Sequence, residues 1–351
     1  MKICIIGQYP PQIGGIATYT SMLEDVLKKE GHTVYILTYA SSDRADDEYH
    51  ISVPVLNIPL FRGVFFTLFS IIKLIFLIRK YDIDLVHAHY LIPPGLIAVV
   101  TKLFTGINVV VTVHGSDINI LPDNKLLKPV LRYVLNHADS VYFVSYLLKE
   151  KAEKLFGNIS SKSYVTKNTV NIDKFNGKCV NRKSDRIIVS FIGNLVKQKG
   201  LNYLLMAKKD SVVDYDLCIY GDGVEKDNLL KIVHENNIKN VYFKGSTNVS
   251  WKVIACSDII VLPSISEGSS IVALEAMSSE KPLVATRAGN ISDIISNYKN
   301  GVLVDIGDSD GLRIAIDKLV EDSSLRKRIG VNARNYVVEN FSVMEVPYMK
   351  E

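Results

Sequence analysis

From its first residues the chain alternates two patterns: short, almost wholly apolar runs, and longer stretches whose apolar residues recur every three or four positions. The runs read as strands buried on both faces, the stretches as amphipathic helices. In the first half the runs are KICIIG (2–7), TVYILT (33–38), DLVHAH (84–89), VVVTVHG (109–115), SVYFVS (140–145) and SYVTKN (163–168). A helix is expected at 16–30 and a long apolar one before residue 84. Between 168 and 184 the alternation gives way to the polar NTVNIDKFNGKCVNRKS, then restarts with IIVSFIG (187–193), DLCIYGDG (216–223), VYFKG (241–245), IIVLPS (259–264), PLVAT (282–286) and GVLVD (301–305). Strand and helix in alternation predict parallel strands joined by crossover helices. The expected fold is therefore α/β, with two doubly wound Rossmann-like domains at 1–168 and 185–341, a linker at 169–184, and a cleft between them. No repeat of fixed period is visible. Ligands of such sheets bind beyond the carboxyl ends of the strands, so the loops after CIIG, VTVHG, SFIG, CIYG and VLPS are where chemistry is sought.

The long apolar helix departs from the usual pattern. A helical wheel of residues 62–80 gathers Val64, Leu68, Ile71, Ile75 and Ile78 on one aliphatic face, expected to lie on the sheet. The opposite face carries Arg62, Phe66, Phe69, Lys73, Phe76 and Lys80. Cations mixed with aromatic rings suit a helix lying in a membrane interface, where rings enter the headgroup boundary and amines meet lipid phosphates. A buried helix or a subunit interface is the alternative.

The 351 residues are 48% hydrophobic and 22% charged, with a formal charge of +4, and acids interleave with the bases. That length is enough for two ordinary domains, and the charge pattern offers no nucleic-acid footprint. Cys4, Cys179, Cys218 and Cys256 form no CxxC pair, which suggests reduced thiols and a cytoplasmic setting. The apolar start ends in a turn too soon for a signal peptide, and the run 64–78, interrupted by Lys73, is short for a membrane span.

Several loops carry candidate chemistry. Gly14 and Gly15 stand just before a helix, where a backbone free of side chains lets phosphate oxygens approach; the same glycines serve a tight turn. Lys197 and Lys199 lie between a strand and a helix, placed either to neutralise a diphosphate or to face solvent. His114 ends a strand beside Gly115 and either donates to a substrate oxygen or bonds to backbone. His87 and His89 share a strand face, but no third ligand stands beside them, so no metal is expected. Asp82-Ile-Asp84 and Asp214-Tyr-Asp216 precede strands at the opposite edge and read as turns. Glu267 opens the segment EGSSIVALEAM, and Glu275 follows about two turns into its helix. Positions eight apart are about 80° out of phase and ~12 Å apart, so the two carboxylates would serve different parts of a long ligand, leaving the amides of Gly268, Ser269 and Ser270 for phosphate. The bland alternative is a carboxylate that complements the helix dipole and a surface helix residue.

Gly14-Gly15, HGSD at 114–117, GNLVKQKG at 193–200 and EGSSIVALEAM at 267–277, in that order, resemble the retaining family 4 glycosyltransferases, whose fold is GT-B. The resemblance implies transfer of a hexose or N-acetylhexosamine from a nucleotide-sugar donor, UDP- or GDP-linked, to a saccharide or lipid-linked acceptor, with no metal or other cofactor. It implies that Glu275 holds the ribose hydroxyls, that Glu267 faces the sugar and that His114 contacts the sugar near the reacting centre. Lys199 and the Gly14-Gly15 loop would take the diphosphate. It also implies work in cell-surface glycan synthesis; the cysteine pattern and the 62–80 helix set that work in the cytoplasm or peripherally on the inner face of the cell membrane. Three departures stand out: Asn194 where the family often has Arg, with Lys197 or Arg287 as substitutes; AGNISDI at 288–294 for the usual Gly-Gly-Ile-Pro-Glu; and a short end, 342–351, for a segment expected to pack back on the first domain. A nucleotide-sugar epimerase of the same fold, or a binding protein without catalysis, remains open at this point.

Overall fold

The computed structural model describes residues 1–12, 14–39, 46–54, 62–157, 159–180, 185–268, 270–343 and 346. The chain divides into two compact units, Met1–Lys167 and Asn168–Val343. The segment 342–351 lies mostly outside the described residues.

The first unit opens with β1 (Lys2–Ile6), α1 (Gly15–Lys29), β2 (Thr33–Tyr39), β3 (His50–Val53), α2 (Arg62–Tyr81) and β4 (Leu85–His89). It continues with α3 (Leu96–Thr105), β5 (Asn108–Val113), α4 (Ser116–Asn119), α5 (Lys128–His137), β6 (Ser140–Phe143), α6 (Tyr146–Phe156) and β7 (Ser163–Val165). All seven strands are parallel, in the order β3-β2-β1-β4-β5-β6-β7. The central strands are largely apolar and buried because helices cover both faces: Ile3, Cys4, Ile5 and Ile6 of β1 are all buried, and so is every residue of β4, His87 and His89 included. The short strand β3, which ends against Pro54, was not expected from the sequence.

The second unit repeats the plan with β8 (Ile188–Ile192), α7 (Leu201–Asp210), β9 (Asp216–Tyr220), α8 (Lys226–Glu235), β10 (Val241–Gly245) and α9 (Ser250–Cys256). Then come β11 (Ile259–Leu262), α10 (Ile271–Ser278), β12 (Leu283–Thr286), α11 (Ile291–Ile294), β13 (Val302–Val304), α12 (Ser309–Glu321) and α13 (Ser323–Phe341). Its sheet, also parallel, has the order β10-β9-β8-β11-β12-β13. In both sheets the order reverses beside the unit's first strand, between β1 and β4 and between β8 and β11. At such a switch point the following loops turn to opposite faces and leave a crevice. Asp82-Ile-Asp84 forms a turn, as expected, with Asp84 accepting from the Lys2 N–H at 2.7 Å; Asp214-Tyr-Asp216 instead runs into β9, whose first residue, Asp216, pairs with Arg186 at 2.9 Å.

Three expectations need correction. Residues 169–180 are not a free linker: Val170 and Phe175 are buried in the second unit's core, the Val170 N–H donates to the Phe341 carbonyl, and Ser278 Oγ donates to the Phe175 carbonyl. Cys179 and Cys256 are not separate thiols but a disulfide with Cα atoms 4.9 Å apart, while Cys4 and Cys218 are free and buried. On α2 the buried line is Phe66, Ser70, Leu74, Leu77 and Ile78, with Phe66 stacked on Tyr39 at a centroid distance of 3.7 Å. Phe66 therefore points inward, not out, and Val64 and Leu68, expected on the sheet, are exposed. A helix apolar all round gives the wheel little to choose by, and the ring of Tyr39 at the end of β2 decides the rotation.

Candidate functional site

In the second unit the chemistry collects at the switch point. The loop after β8 runs through Gly193 and Asn194 into a single 3₁₀ turn, Lys197–Lys199, closed by Gly200 at φ 62°. The loop after β11 presses against it: the Ile265 N–H donates to the Gln198 carbonyl at 2.7 Å. A Cβ at Gly200 would come within 2.1 Å of the Pro263 carbonyl oxygen, so only glycine lets the two loops meet this closely. The approach sets Lys199 Nζ 2.6 Å from Glu267 Oε1, and Ser264 Oγ donates to the same oxygen at 2.7 Å. Gly289, at φ 61°, supports the Glu267 backbone from the other side; a Cβ there would stand 2.3 Å from the Glu267 carbonyl oxygen. Lys199 and Glu267, each expected to meet the ligand separately, are thus partners of one another.

The chain then enters α10. Ser270, expected at the phosphate, is its N-cap and accepts from the Ala273 N–H at 3.3 Å. Among the described residues no partner is found for the N–H groups of Gly268 and Ser270, which leaves donors at the positive end of the helix. Ser269 lies outside the described residues. Glu275 is the fifth residue of α10, a little more than one turn in rather than two, and is 4% exposed. Its carboxyl has no hydrogen-bond partner among the described residues. Burial pushes it up from 4.5 to about 8, against a smaller opposite pull from Lys174. A buried carboxyl of this kind ordinarily has partners, and a pair of hydroxyls brought by a ligand would supply them. Asn194 and Lys197 are exposed, and Arg287 is engaged with Asp305 at 3.2 Å.

In the first unit the corresponding crevice is a cavity of about 230 Å³, lined by Gly7, Gln8, Tyr39, Phe66, His89 and Tyr90 among others. Gly14 caps α1 and Gly15 begins it, without a side-chain cap. His114 follows β5 directly; its Nε2 lies 3.0 Å from His89 Nδ1, with the Tyr19 ring edge-on at 5.4 Å. His87 stacks beside His89 at 4.3 Å and bonds through Nε2 to Thr112 Oγ1 at 2.8 Å. Burial lowers His87 and His114 to about 3 and holds His89 well below 6.5, so the three rings are neutral near pH 7. No group of three side chains suited to a metal occurs among the described residues. Asp117, the last residue of HGSD, is buried and accepts from the N–H groups of Gly115 at 2.8 Å and Leu91 at 3.3 Å, which braces the turn carrying His114.

The structure so joins Lys199 to Glu267 and His114 to His89, while among the described residues no hydrogen bond joins Glu275 to Lys199 or Glu267. Ser264, Gly200, Gly289, His89 and Asp117 are the supporting residues that sequence reasoning did not assign to the site. Only the glycines left a signal there, since each sits where a loop has to turn sharply. The membrane-facing candidates Phe69, Lys73, Phe76 and Lys80 are exposed on α2, whereas the Arg62 side chain lies outside the described residues.

Two doubly wound parallel sheets, each with its loops gathered at a switch point, are the GT-B architecture. The profile of glycosyltransferase family 4 matches residues 13–174, and that of the glycosyl transferases group 1 matches 174–336. An uncharacterised glycosyltransferase of Methanocaldococcus jannaschii is 31% identical over 96% of this chain and 93% of its own. The N-acetyl-α-D-glucosaminyl L-malate synthase of Bacillus anthracis is 27% identical over 94% and 91%. Among solved structures, Anabaena HepE in complex with UDP and glucose superposes with a TM-score of 0.79 at 19% identity, covering 97% of this chain and 95% of its own. The chain belongs to the family 4 glycosyltransferases and is a transferase of GT-B type.

Proposed function

We propose that this enzyme moves a hexose or N-acetylhexosamine from a nucleotide sugar to a saccharide or lipid-linked acceptor in cell-surface glycan synthesis, with retention at the anomeric carbon and without a metal. The observation that carries the reading is the strand–loop–helix unit of the second domain. It offers a cation paired to a carboxylate and, among the described residues, open amides at a helix start and a buried carboxyl without a hydrogen-bond partner, in the order in which a donor presents sugar, diphosphate and ribose. In this account the diphosphate draws Lys199 from Glu267 and rests on the Gly268 and Ser270 amides. Glu267, so released, accepts hydrogen bonds from the sugar hydroxyls, and Glu275 accepts from the ribose diol.

The glycosidic bond to the diphosphate breaks, and a bond to the acceptor hydroxyl forms on the same face of the sugar. The acceptor proton leaves with the diphosphate. Lys199 and the fixed amide dipoles stabilise the charge on the leaving group, so the gain is electrostatic preorganisation and no side-chain nucleophile is required. His114, neutral and held by His89, donates to a sugar oxygen near the reacting carbon without adding a positive charge that would oppose the one developing there. The Gly14-Gly15 loop contributes further amides to the diphosphate.

The HepE complex with UDP and glucose makes a uracil nucleotide the first donor to test, and the malate synthase relative makes N-acetylglucosamine the first sugar. The test is calorimetric titration of UDP, GDP and ADP with a chelator present, followed by product analysis with the matching nucleotide sugar and a panel of acceptors. Tight binding of one nucleotide and acceptor-dependent transfer are expected. Binding only after a divalent metal is added, or sugar release with no acceptor product, would overturn the reading.

A further inference from the structure

We propose that the outer face of α2, extended by the end of α3, is a docking surface for a bilayer carrying anionic lipids. Along α2 the exposed side chains are Val64, Leu68, Phe69, Ile72 and Phe76, with Ile72 68% exposed. They form one stripe about 18 Å long at a rise of ~1.5 Å per residue. The neighbouring α3, which lies against α2, adds exposed Leu103 and Phe104. Together the seven expose on the order of several hundred Å² of apolar surface, as much as the largest patch of an ordinary monomer.

Charge identifies the occupant. Neither α2 nor α3 contains an Asp or Glu, while Lys73, Arg79 and Lys80 rim the stripe. Lys102 is already paired with Asp139, at 2.5 Å, but no ion pair engages Lys73, Arg79 or Lys80 among the described residues. Lys80 Nζ lies 4.7 Å from the centroid of the Tyr81 ring, an amine and an aromatic ring side by side, as at a headgroup boundary. A water-facing helix would be expected to carry carboxylates as well, and a protein partner would bring none of the phosphates that three unpaired cations suit. No helix among the described residues is long and apolar enough to cross a membrane, so the helix lies along the surface.

The same helix connects this surface to the cavity. Phe66 lines the cavity from the inner face of α2, between Val64 and Phe69 on the outer face. A bilayer seated on the stripe therefore brings the cavity within one helix diameter of the headgroups, where the sugar of a lipid-linked acceptor would lie; this last step rests on the proposed reaction, the docking itself does not.

The experiment is flotation with vesicles of equimolar phosphatidylcholine and phosphatidylglycerol, and with phosphatidylcholine alone, paired with sedimentation velocity in the absence of lipid. The wild type is expected to float with the anionic vesicles and to remain behind with the neutral ones. Phe69→Ser/Ile72→Ser/Phe76→Ser should abolish flotation, and Lys73→Glu/Lys80→Glu should weaken it by about thirtyfold or more. Nucleotide titration without lipid, carried out on the same variants, shows that they fold and tests the donor site independently. Failure of the wild type to float, or unchanged flotation of the serine variant, would overturn the proposal. So would a wild-type dimer that the serine variant breaks, since a second copy would then cover the stripe.

Discussion

Replacing Glu275 with Gln should make the protein more stable and a poorer binder of its nucleotide, and the size of the first effect should depend on pH in a set direction. In the unfolded chain this carboxyl titrates near 4.5, whereas burial on α10 raises it to about 8 in the folded protein. Between those values the folded state keeps a proton that the unfolded state has released. The stability associated with that proton is full below pH 4.5, declines as pH rises through the window, and is gone above about 8. At about 1.4 kcal/mol per pH unit the whole span comes to roughly 5 kcal/mol, an upper bound because a charged carboxylate recruits water and neighbours such as Lys174. Glutamine has the same shape and no titration. Melting curves of the two proteins should therefore lie close together at pH 5 and separate progressively towards pH 8.5, with the variant higher by several degrees, at ~2–4 °C per kcal/mol for a unit of this size. The other shifted groups, Asp117 and the histidines, are common to both proteins and cancel in the difference. At pH 8.5, where the wild-type carboxyl is largely ionised, UDP binding by the variant should weaken by about 1–3 kcal/mol, the worth of hydrogen bonds to a charged acceptor. A separation between the melting curves that is the same at every pH would refute the account of Glu275 as a buried carboxyl awaiting a partner.

Lys199→Met should leave Glu267, whose side chain is 8% exposed, with Ser264 as its one side-chain partner among the described residues, costing about 1–3 kcal/mol of stability; Lys199→Met/Glu267→Gln should recover most of that in a thermal melt without recovering nucleotide binding. Gly289→Ala should lose about 1–3 kcal/mol and reduce donor affinity with it, because both its φ of 61° and the Glu267 carbonyl oppose a Cβ; unchanged denaturant midpoint and affinity would exclude this role. Phe66→Ala should cost ~3–5 kcal/mol in urea unfolding and Phe69→Ala less than about 0.5, whereas the helical wheel, which puts both rings on the outward face, implies a small cost for each.

Much of the fold was legible because parallel strands covered on both sides leave largely apolar runs, and those runs placed the strand ends within three residues. β3 escaped because four residues, His50–Val53, are too few to show a period. The rotation of α2 escaped for a different reason: where every face of a helix is apolar, only its neighbours choose, and Tyr39 is 27 positions before Phe66. Lys199 and Glu267 were recognisable singly, but their pairing depends on two loops 68 residues apart and on glycines whose purpose appears only when a Cβ is placed on them. Val170 and Phe175 were apolar residues in a polar stretch and could have signalled that 169–180 packs against a core. Cys179 and Cys256, 77 residues apart, carry no spacing by which a sequence could pair them.

The contact between Lys199 and Glu267 also bears on turnover. A lysine that already holds a carboxylate binds a diphosphate by trading one anion for another, so the net gain is only the difference between two attractions. In the proposed reaction the trade would run in reverse when the nucleotide diphosphate departs: Glu267 would return to Lys199 and ease the product away. Under that reading, an enzyme that releases a strongly charged product in every cycle carries the means of displacing it within its own binding loop.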